Sequence, residues 1–280
     1  MAEIGKYNIL TVLRETGSGF YLDGEDLGDI LLPGKLAPQG TIEDDDLEVF
    51  LYNDSEDRLI ATTERPHAVV GQFAALTVVD VHEQIGAFLD WGLGKDLLLP
   101  YREQGEVLVE VGECVVVYVK LDTLTQRIVA TTKWQRFLSE GRPHYTDSQP
   151  VKFLITHRTP LGYNAIVEER YSGLVYHSDL GTSLKVGEVI NGYVRTVRPD
   201  GKIDLSLDPS GPPPIRGLSE SILAALKEQD GDLPYDDSSS PELIRKAFNV
   251  SKKVFKRTLS TLYKERKIEF PKEGGIRLSK

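Results

Sequence analysis

Gly19-Phe20-Tyr21-Leu22-Asp23 returns 67 residues later as Gly86-Ala87-Phe88-Leu89-Asp90, and Leu31-Leu32-Pro33 returns at the same offset as Leu98-Leu99-Pro100. Ile60-Ala61-Thr62-Thr63 returns as Val129-Ala130-Thr131-Thr132, 69 residues on. A looser third copy runs through Asn164-Ala165-Ile166-Val167-Glu168, Gly173-Leu174-Val175 and Ile203-Asp204-Leu205-Ser206. A unit of about 70 residues is too long for a solenoid turn and suits a small domain. Such units in series read as beads on a string, an arrangement suited to an extended polymer.

Each unit has the pattern of short strands. In the second, Ala75–Val81, Gly86–Leu89, Asp96–Pro100, Glu113–Val119 and Gln126–Thr131 are β-branched or aromatic runs broken by Gly, Pro and Asp. Five such runs match a five-stranded barrel of the oligonucleotide-binding (OB) type. Glu64-Arg65-Pro66-His67 and Gly141-Arg142-Pro143-His144 read as linkers. Ser210-Gly211-Pro212-Pro213-Pro214 is the strongest boundary, because successive prolines neither join a ladder nor continue a helix. Beyond it the period changes to 3.6. Ile222, Leu223 and Leu226 mark one helix, and Ser240-Pro241-Glu242 caps a second carrying Leu243, Ile244, Ala247 and Phe248. Ser251 caps a third that runs to about Lys267, and a Gly274-Gly275 turn follows between two short strands. That order is a winged helix-turn-helix. The expected fold is therefore mainly β with a C-terminal α/β part. Its domains are expected at 1–66 (an acidic, degenerate repeat), 67–145, 146–211 and 215–280.

The net charge of −10 argues at first against nucleic acid, yet it is unevenly distributed. Residues 1–67 carry −10, 68–148 carry −4, 149–215 carry 0 and 216–280 carry +4. A polyanion is drawn to the C-terminal half. No apolar run is long enough for a membrane span, and the N-terminus lacks the pattern of a secretory signal, so the expected compartment is the cytoplasm. The single cysteine, Cys114, lies in an apolar strand and is expected to be buried.

Catalytic and metal signals are poor. His67, His82, His144, His157 and His177 are scattered without ligand spacing, and Glu43-Asp44-Asp45-Asp46 reads as an acidic loop, so no metal or cofactor is expected. Gly92-Leu93-Gly94-Lys95 lacks the spacing and following hydroxyl of a phosphate loop. With no nucleophile beside a base, neither enzymatic activity nor a small-molecule substrate is expected.

Binding signals are better. On the third helix Val254, Phe255, Thr258, Leu259 and Leu262 share one face. Lys253, Lys256, Arg257, Lys264 and Lys267 fall opposite, a cationic stripe for phosphates. In the third repeat Tyr163, Tyr176 and His177 are candidates for stacking on bases, with Arg195, Arg198 and Lys202 on the closing strands for phosphates. The second repeat offers Phe88, Trp91, Lys95 and Arg127; the first offers Phe20, Tyr21 and Arg58 amid heavy acid.

Gly173-Leu174-Val175-Tyr176-His177-Ser178-Asp179, then Lys185-Val186-Gly187-Glu188 and Ile203-Asp204-Leu205-Ser206, resembles the RNA-binding repeat of bacterial ribosomal protein S-one. Three such repeats before a winged helix resemble the bacterial conserved virulence factor B family over essentially the whole chain. So does Ser251-Lys252-Lys253-Val254-Phe255-Lys256-Arg257 with Leu262-Tyr263-Lys264. The resemblance implies a cytoplasmic RNA-binding regulator of gene expression. It places the stacking aromatics at Phe88 and Tyr163, the histidine position at Pro33, Pro100 and Tyr176, and the closing basic residue at Arg58, Arg127 and Lys202. The expected partner is single-stranded RNA, with duplex DNA or a basic protein as alternatives.

Overall fold

The glycine that opens each repeat is there because two strands crowd together. A Cβ at Gly19 would lie 2.2 Å from Leu32 O, one at Gly86 2.2 Å from Leu99 O, and one at Gly162 2.0 Å from Val175 O. Any side chain would push apart the ladder that each glycine begins. The computed structural model describes residues 1–105, 108–180, 183–208, 215–229, 231–248, 250–271 and 274–279, which divide into units Met1–Leu138 and Ser139–Lys280.

In the first unit, β1 (Tyr7–Thr16), β2 (Gly19–Asp23), β3 (Asp29–Pro33), β4 (Asp46–Asn53) and β5 (Leu59–Thr62) form a closed barrel in the order β1-β2-β3-β5-β4. Every pairing is antiparallel except β3 with β5. Leu10, Val12, Leu22, Ile30, Leu32, Val49, Leu51 and Ala61 fill it. The second repeat supplies β6 (Phe73–His82), β7 (Gly86–Leu89), β8 (Leu97–Pro100), β9 (Cys114–Leu121) and β10 (Ile128–Thr131). Its sheet runs β10-β9-β6-β7-β8, and β8 lies beside β10 without a ladder, so packing completes this barrel.

The first two repeats are not separate beads. Phe50, Tyr52 and Ile60 turn outward from the first barrel and are buried in one cluster with Leu76, Val78, Leu89, Trp91, Val117 and Val119 of the second. Trp91 meets Phe50 and Tyr52 edge-on at centroid distances of 5.5 and 6.4 Å, and its Nε1 donates to Ala68 O at 2.8 Å. The first linker is tied down as well: His67 N donates to Trp91 O at 2.8 Å, and Arg65 pairs with Glu48 at 2.6 Å. Cys114 is a further correction. It is exposed at the start of β9, because the alternation of that strand turns Val115 and Val117 inward instead.

In the second unit, β11 (Pro150–Arg158), β12 (Gly162–Val167), β13 (Tyr171–Tyr176), β14 (Val189–Val197) and β15 (Ile203–Ser206) close a barrel in the same order as the first. Its core holds Phe153, Ile155, Tyr163, Ala165, Val167, Val175 and Leu205. The proposed boundary at Ser210–Pro214 lies outside the described residues.

The winged helix follows: α1 (Ile215–Glu228), β16 (Asp232–Leu233), α2 (Pro241–Phe248), α3 (Lys252–Lys264), β17 (Ile268–Glu269) and β18 (Ile276–Leu278). Leu218, Ile222, Leu226, Ile244, Phe255, Leu259, Leu262, Ile268 and Ile276 form its core. Ser240 Oγ accepts from Leu243 N at 3.3 Å and Ser251 Oγ from Val254 N at 3.4 Å, the expected caps. The hairpin is joined by β16, giving the order β16-β18-β17; a two-residue strand leaves no periodic signal. Asp236 pins the wing to the turn before α2. One carboxylate oxygen accepts from Ser238 Oγ at 2.6 Å, Ser238 N at 2.8 Å and Ser239 N at 3.1 Å, the other from Gly275 N at 2.9 Å. The Ser238 hydroxyl above all, with the Gly275 N–H, holds this carboxyl down to about 2.

Candidate nucleic-acid interface

Backbone register decides which side chains reach the outer face of each barrel. Gly19 pairs with Pro33, Gly86 with Pro100 and Gly162 with Tyr176, so the three glycines are equivalent. Two residues on stand Tyr21, Phe88 and Asn164. Tyr163 is therefore the counterpart of Phe20 and Ala87, not of Phe88. In a strand a shift of one residue reverses the face. Tyr163 points into the core, is 3% exposed and offers no ring to a base, which corrects its assignment as a stacking residue. The outward position holds Asn164, whose Nδ2 lies 3.0 Å from His157 Nε2; burial lowers the pKa of that imidazole.

The third barrel differs from the others at two coupled positions. The backbone bond from Asp54 N to Arg58 O recurs from Asp122 N to Arg127 O and from Arg198 N to Lys202 O. Arg198 thus occupies the place of an aspartate. By the same register Asp204 stands where the earlier repeats have Ile60 and Val129. The two substitutions answer each other: Arg198 Nε and Nη2 donate to Asp204 Oδ1 at 2.9 and 2.6 Å, and that bonding raises the guanidinium pKa. Arg198 Nη2 also donates to Tyr176 Oη at 2.5 Å, with the guanidinium 5.9 Å from the ring centroid. Tyr176 and Arg198 are half-buried, whereas Lys202 is exposed and 4.0 Å from Asp200.

His177 follows Tyr176 in a short 3-10 turn. Its Nε2 lies 2.9 Å from Thr159 O, and its ring is edge-on to Tyr163 at 5.1 Å. Arg195 donates to the buried carboxylate of Asp179 at 2.7 Å and keeps about a third of its side chain in solvent (32%). The face thus joins Tyr176, Arg198 and Asp204 in one network, with Arg195 and His177 each held by other partners.

The second-repeat set is used differently from expectation. Arg127 is ion-paired with Asp57 of the first barrel. Lys95 Nζ donates to Asn53 O at 2.9 Å and Asp54 O at 2.8 Å, and burial lowers its pKa. Trp91 is core. Phe88 is half-buried on the wall of a cleft of about 470 Å³ that also meets Tyr52, Asn53, Asp57, Lys95 and Arg127. The Gly92–Lys95 loop therefore clamps the first barrel. A second network escaped the sequence reading, since its members are far apart in the chain: Glu103, 7% exposed, accepts from Lys120 at 2.7 Å and Arg136 at 2.8 Å.

On α3 the division into two faces is as the periodicity predicts. Phe255, Thr258, Leu259 and Leu262 are buried; Lys253, Lys256, Arg257 and Lys264 are exposed. Lys256 Nζ is 3.0 Å from Asp237. The helix stops at Lys264, so Lys267 leaves the stripe. Arg266 takes φ +56°, and Lys267 N donates back to Leu262 O at 2.9 Å, turning the chain toward β17. Lys267 Nζ lies 2.8 Å from Glu265. Among the described residues no three His, Cys, Asp or Glu side chains are grouped to hold a metal ion, and no helix is long and apolar enough to cross a membrane.

Residues 4–64 match the S1 domain family and residues 220–278 the CvfB-like winged helix domain. The S1 match falls on the acidic first repeat. The chain is 30% identical over 274 residues to the uncharacterized protein YitL of Bacillus subtilis, spanning 94% of this chain and 90% of that protein. It is 26% identical over 289 residues to conserved virulence factor B of Staphylococcus epidermidis, spanning 99% and 95%. A crystal structure of a multidomain protein with nucleic acid binding domains from Streptococcus pneumoniae aligns over 98% of each chain at 23% identity. Its TM-score is 0.43.

Proposed function

The chain belongs to the conserved virulence factor B family, and from that premise we propose that it is a non-catalytic regulator of gene expression in the cytoplasm that binds single-stranded RNA through its third barrel and winged helix. The observation that carries this reading is the difference between equivalent barrel faces. In the first barrel that face holds Phe50, Tyr52 and Ile60 and is buried against the second. In the third it holds Tyr176, Arg198 and Asp204, a tyrosine and a guanidinium joined by a hydrogen bond and partly open to solvent. The ring of Tyr176 suits stacking on a base; Arg198, already paired with Asp204, holds that ring, and the exposed Lys202 at the end of the same turn offers a charge for a phosphate. The exposed lysines and arginine of α3 supply further cations for phosphates, in keeping with the charge gradient along the chain.

Filter binding of the full chain to single-stranded RNA, single-stranded DNA and duplex DNA of one length tests the proposal. Tightest binding to RNA, falling steeply with salt, is the expected result. Preference for duplex DNA would instead make the winged helix the leading module. Retention of a basic protein after nuclease treatment, with no nucleic acid bound, would replace the reading with a protein scaffold.

A further inference from the structure

Among the described residues of the winged helix, the large apolar side chains left exposed are Leu243, Tyr263 and Phe270. Tyr263, on the last turn of α3, is 55% exposed; Phe270, just after β17, is 42% exposed. They come from different elements, yet their ring centroids lie 5.4 Å apart with planes inclined at 47°. Lys264 closes α3, and the turn that follows it carries Arg266 and Lys267, all three exposed. Two acids share the region: Glu265, which meets Lys267, and Glu269, which faces Arg277 across the β17–β18 ladder. Arg277 pairs in turn with Asp232 at 2.7 Å.

Neither ring belongs to the core cluster that holds the domain together. Burial therefore does not explain why aromatic residues stand here. We propose that Tyr263 and Phe270 form a base-stacking platform on the winged helix, taking an unpaired nucleobase of a single strand whose phosphates run over Lys264 and Arg266. This rests on the reading of the protein as a nucleic-acid binder and gives the winged helix a reason to prefer single strands. A stacked, paired base in a duplex has both faces covered and cannot lie on a protein ring, whereas an unpaired base can. Charge complementarity selects the polyanion, and the π-faces select the base irrespective of sequence.

The test compares two labelled strands of equal length and charge, one of single-stranded RNA and one with an abasic backbone, binding to the full chain. Tyr263→Leu with Phe270→Leu removes both rings while keeping apolar bulk; Tyr263→Phe with Phe270→Tyr keeps both rings. The leucine pair should bind RNA at least about fivefold more weakly and the abasic strand unchanged, while the ring-retaining pair binds both like the unmodified chain. Circular dichroism melting confirms the fold, and the single leucine replacements serve in place of the pair where it melts early. Unchanged RNA affinity in a folded leucine variant would overturn the platform, as would an equal loss on both strands. Failure of the unmodified chain to bind either strand would overturn the proposed function itself, a distinguishable result.

Discussion

Asp57, at the β4–β5 turn of the first barrel, forms an ion pair with Arg127, which stands 70 residues on at the equivalent turn of the second. The two copies of one repeat thus meet through matching loops, and the cation expected to hold a phosphate is already neutralised by an acid. The acidic charge of the first repeat has a structural use here, since Asp57 holds Arg127; beside that pair the backbone carbonyls of Asn53 and Asp54 hold Lys95.

Arg127→Ala in the full chain is accordingly expected to leave single-strand affinity within about twofold and the log-log salt slope unchanged, because a phosphate contact would contribute about 0.7 unit. Titration at several salt concentrations measures both. A tenfold loss of affinity would show that Arg127 leaves Asp57 to meet RNA.

Trp91→Ala should cost about 3–5 kcal/mol, the range for deleting a buried indole, and should lower the stability of both N-terminal barrels together. Their shared cluster of Phe50, Tyr52 and Trp91 makes them one cooperative unit. Hydrogen exchange in the variant checks this. Loss of protection in β6–β10 with β1–β5 untouched would contradict it.

Tyr163 and Tyr176 should separate under mutation. Tyr163→Ala removes a core ring, with an expected stability loss of about 3–5 kcal/mol, whereas Tyr163→Phe should bind RNA normally. Tyr176→Ala should retain the fold and weaken binding by about 1–3 kcal/mol. Thermal melts paired with titrations decide; a stable Tyr163→Ala variant with selectively lost affinity would reverse the assignment.

Replacing Lys253, Arg257 and Lys264 together with Gln should reduce the salt slope for single strands by about two units, at about 0.7 for each phosphate contact. The melting temperature should stay near that of the parent, since all three side chains are exposed and Gln is a fair helix former. An unchanged slope would show that the stripe is merely solvated.

The Asp236 carboxyl titrates at about 2 in the folded winged helix against 3.8 ordinarily. Its folded value is depressed, so its contribution to stability is complete above about pH 4 and disappears as pH falls toward 2. Asp236→Asn should lower stability at neutral pH and remove that part of the acid dependence. Melts from pH 6 to pH 2 check it; parallel curves for parent and variant would rule the contribution out.

The repeat, the strands of each barrel and the division of α3 into apolar and cationic faces were legible in the sequence, because each depends on neighbours along the chain. Gly19, Gly86 and Gly162 mark where two adjacent strands approach too closely for a Cβ, a local demand that leaves a local trace. The same holds for Ser240 and Ser251, which cap the helices they precede.

The face on which Tyr163 falls was decided only by the ladder. The third repeat matches the others loosely, and with a period of two a one-residue error in alignment exchanges core for surface. Only the folded chain shows that Lys95 and Arg127 grip the first barrel, that Arg198 and Asp204 answer each other, and that Tyr263 meets Phe270 beside the wing. These relationships join residues separated by up to 70 positions, and an isolated sequence carries no record of such distances. Local chemistry determined the elements; packing between them determined which aromatic rings and cations remain open to a partner.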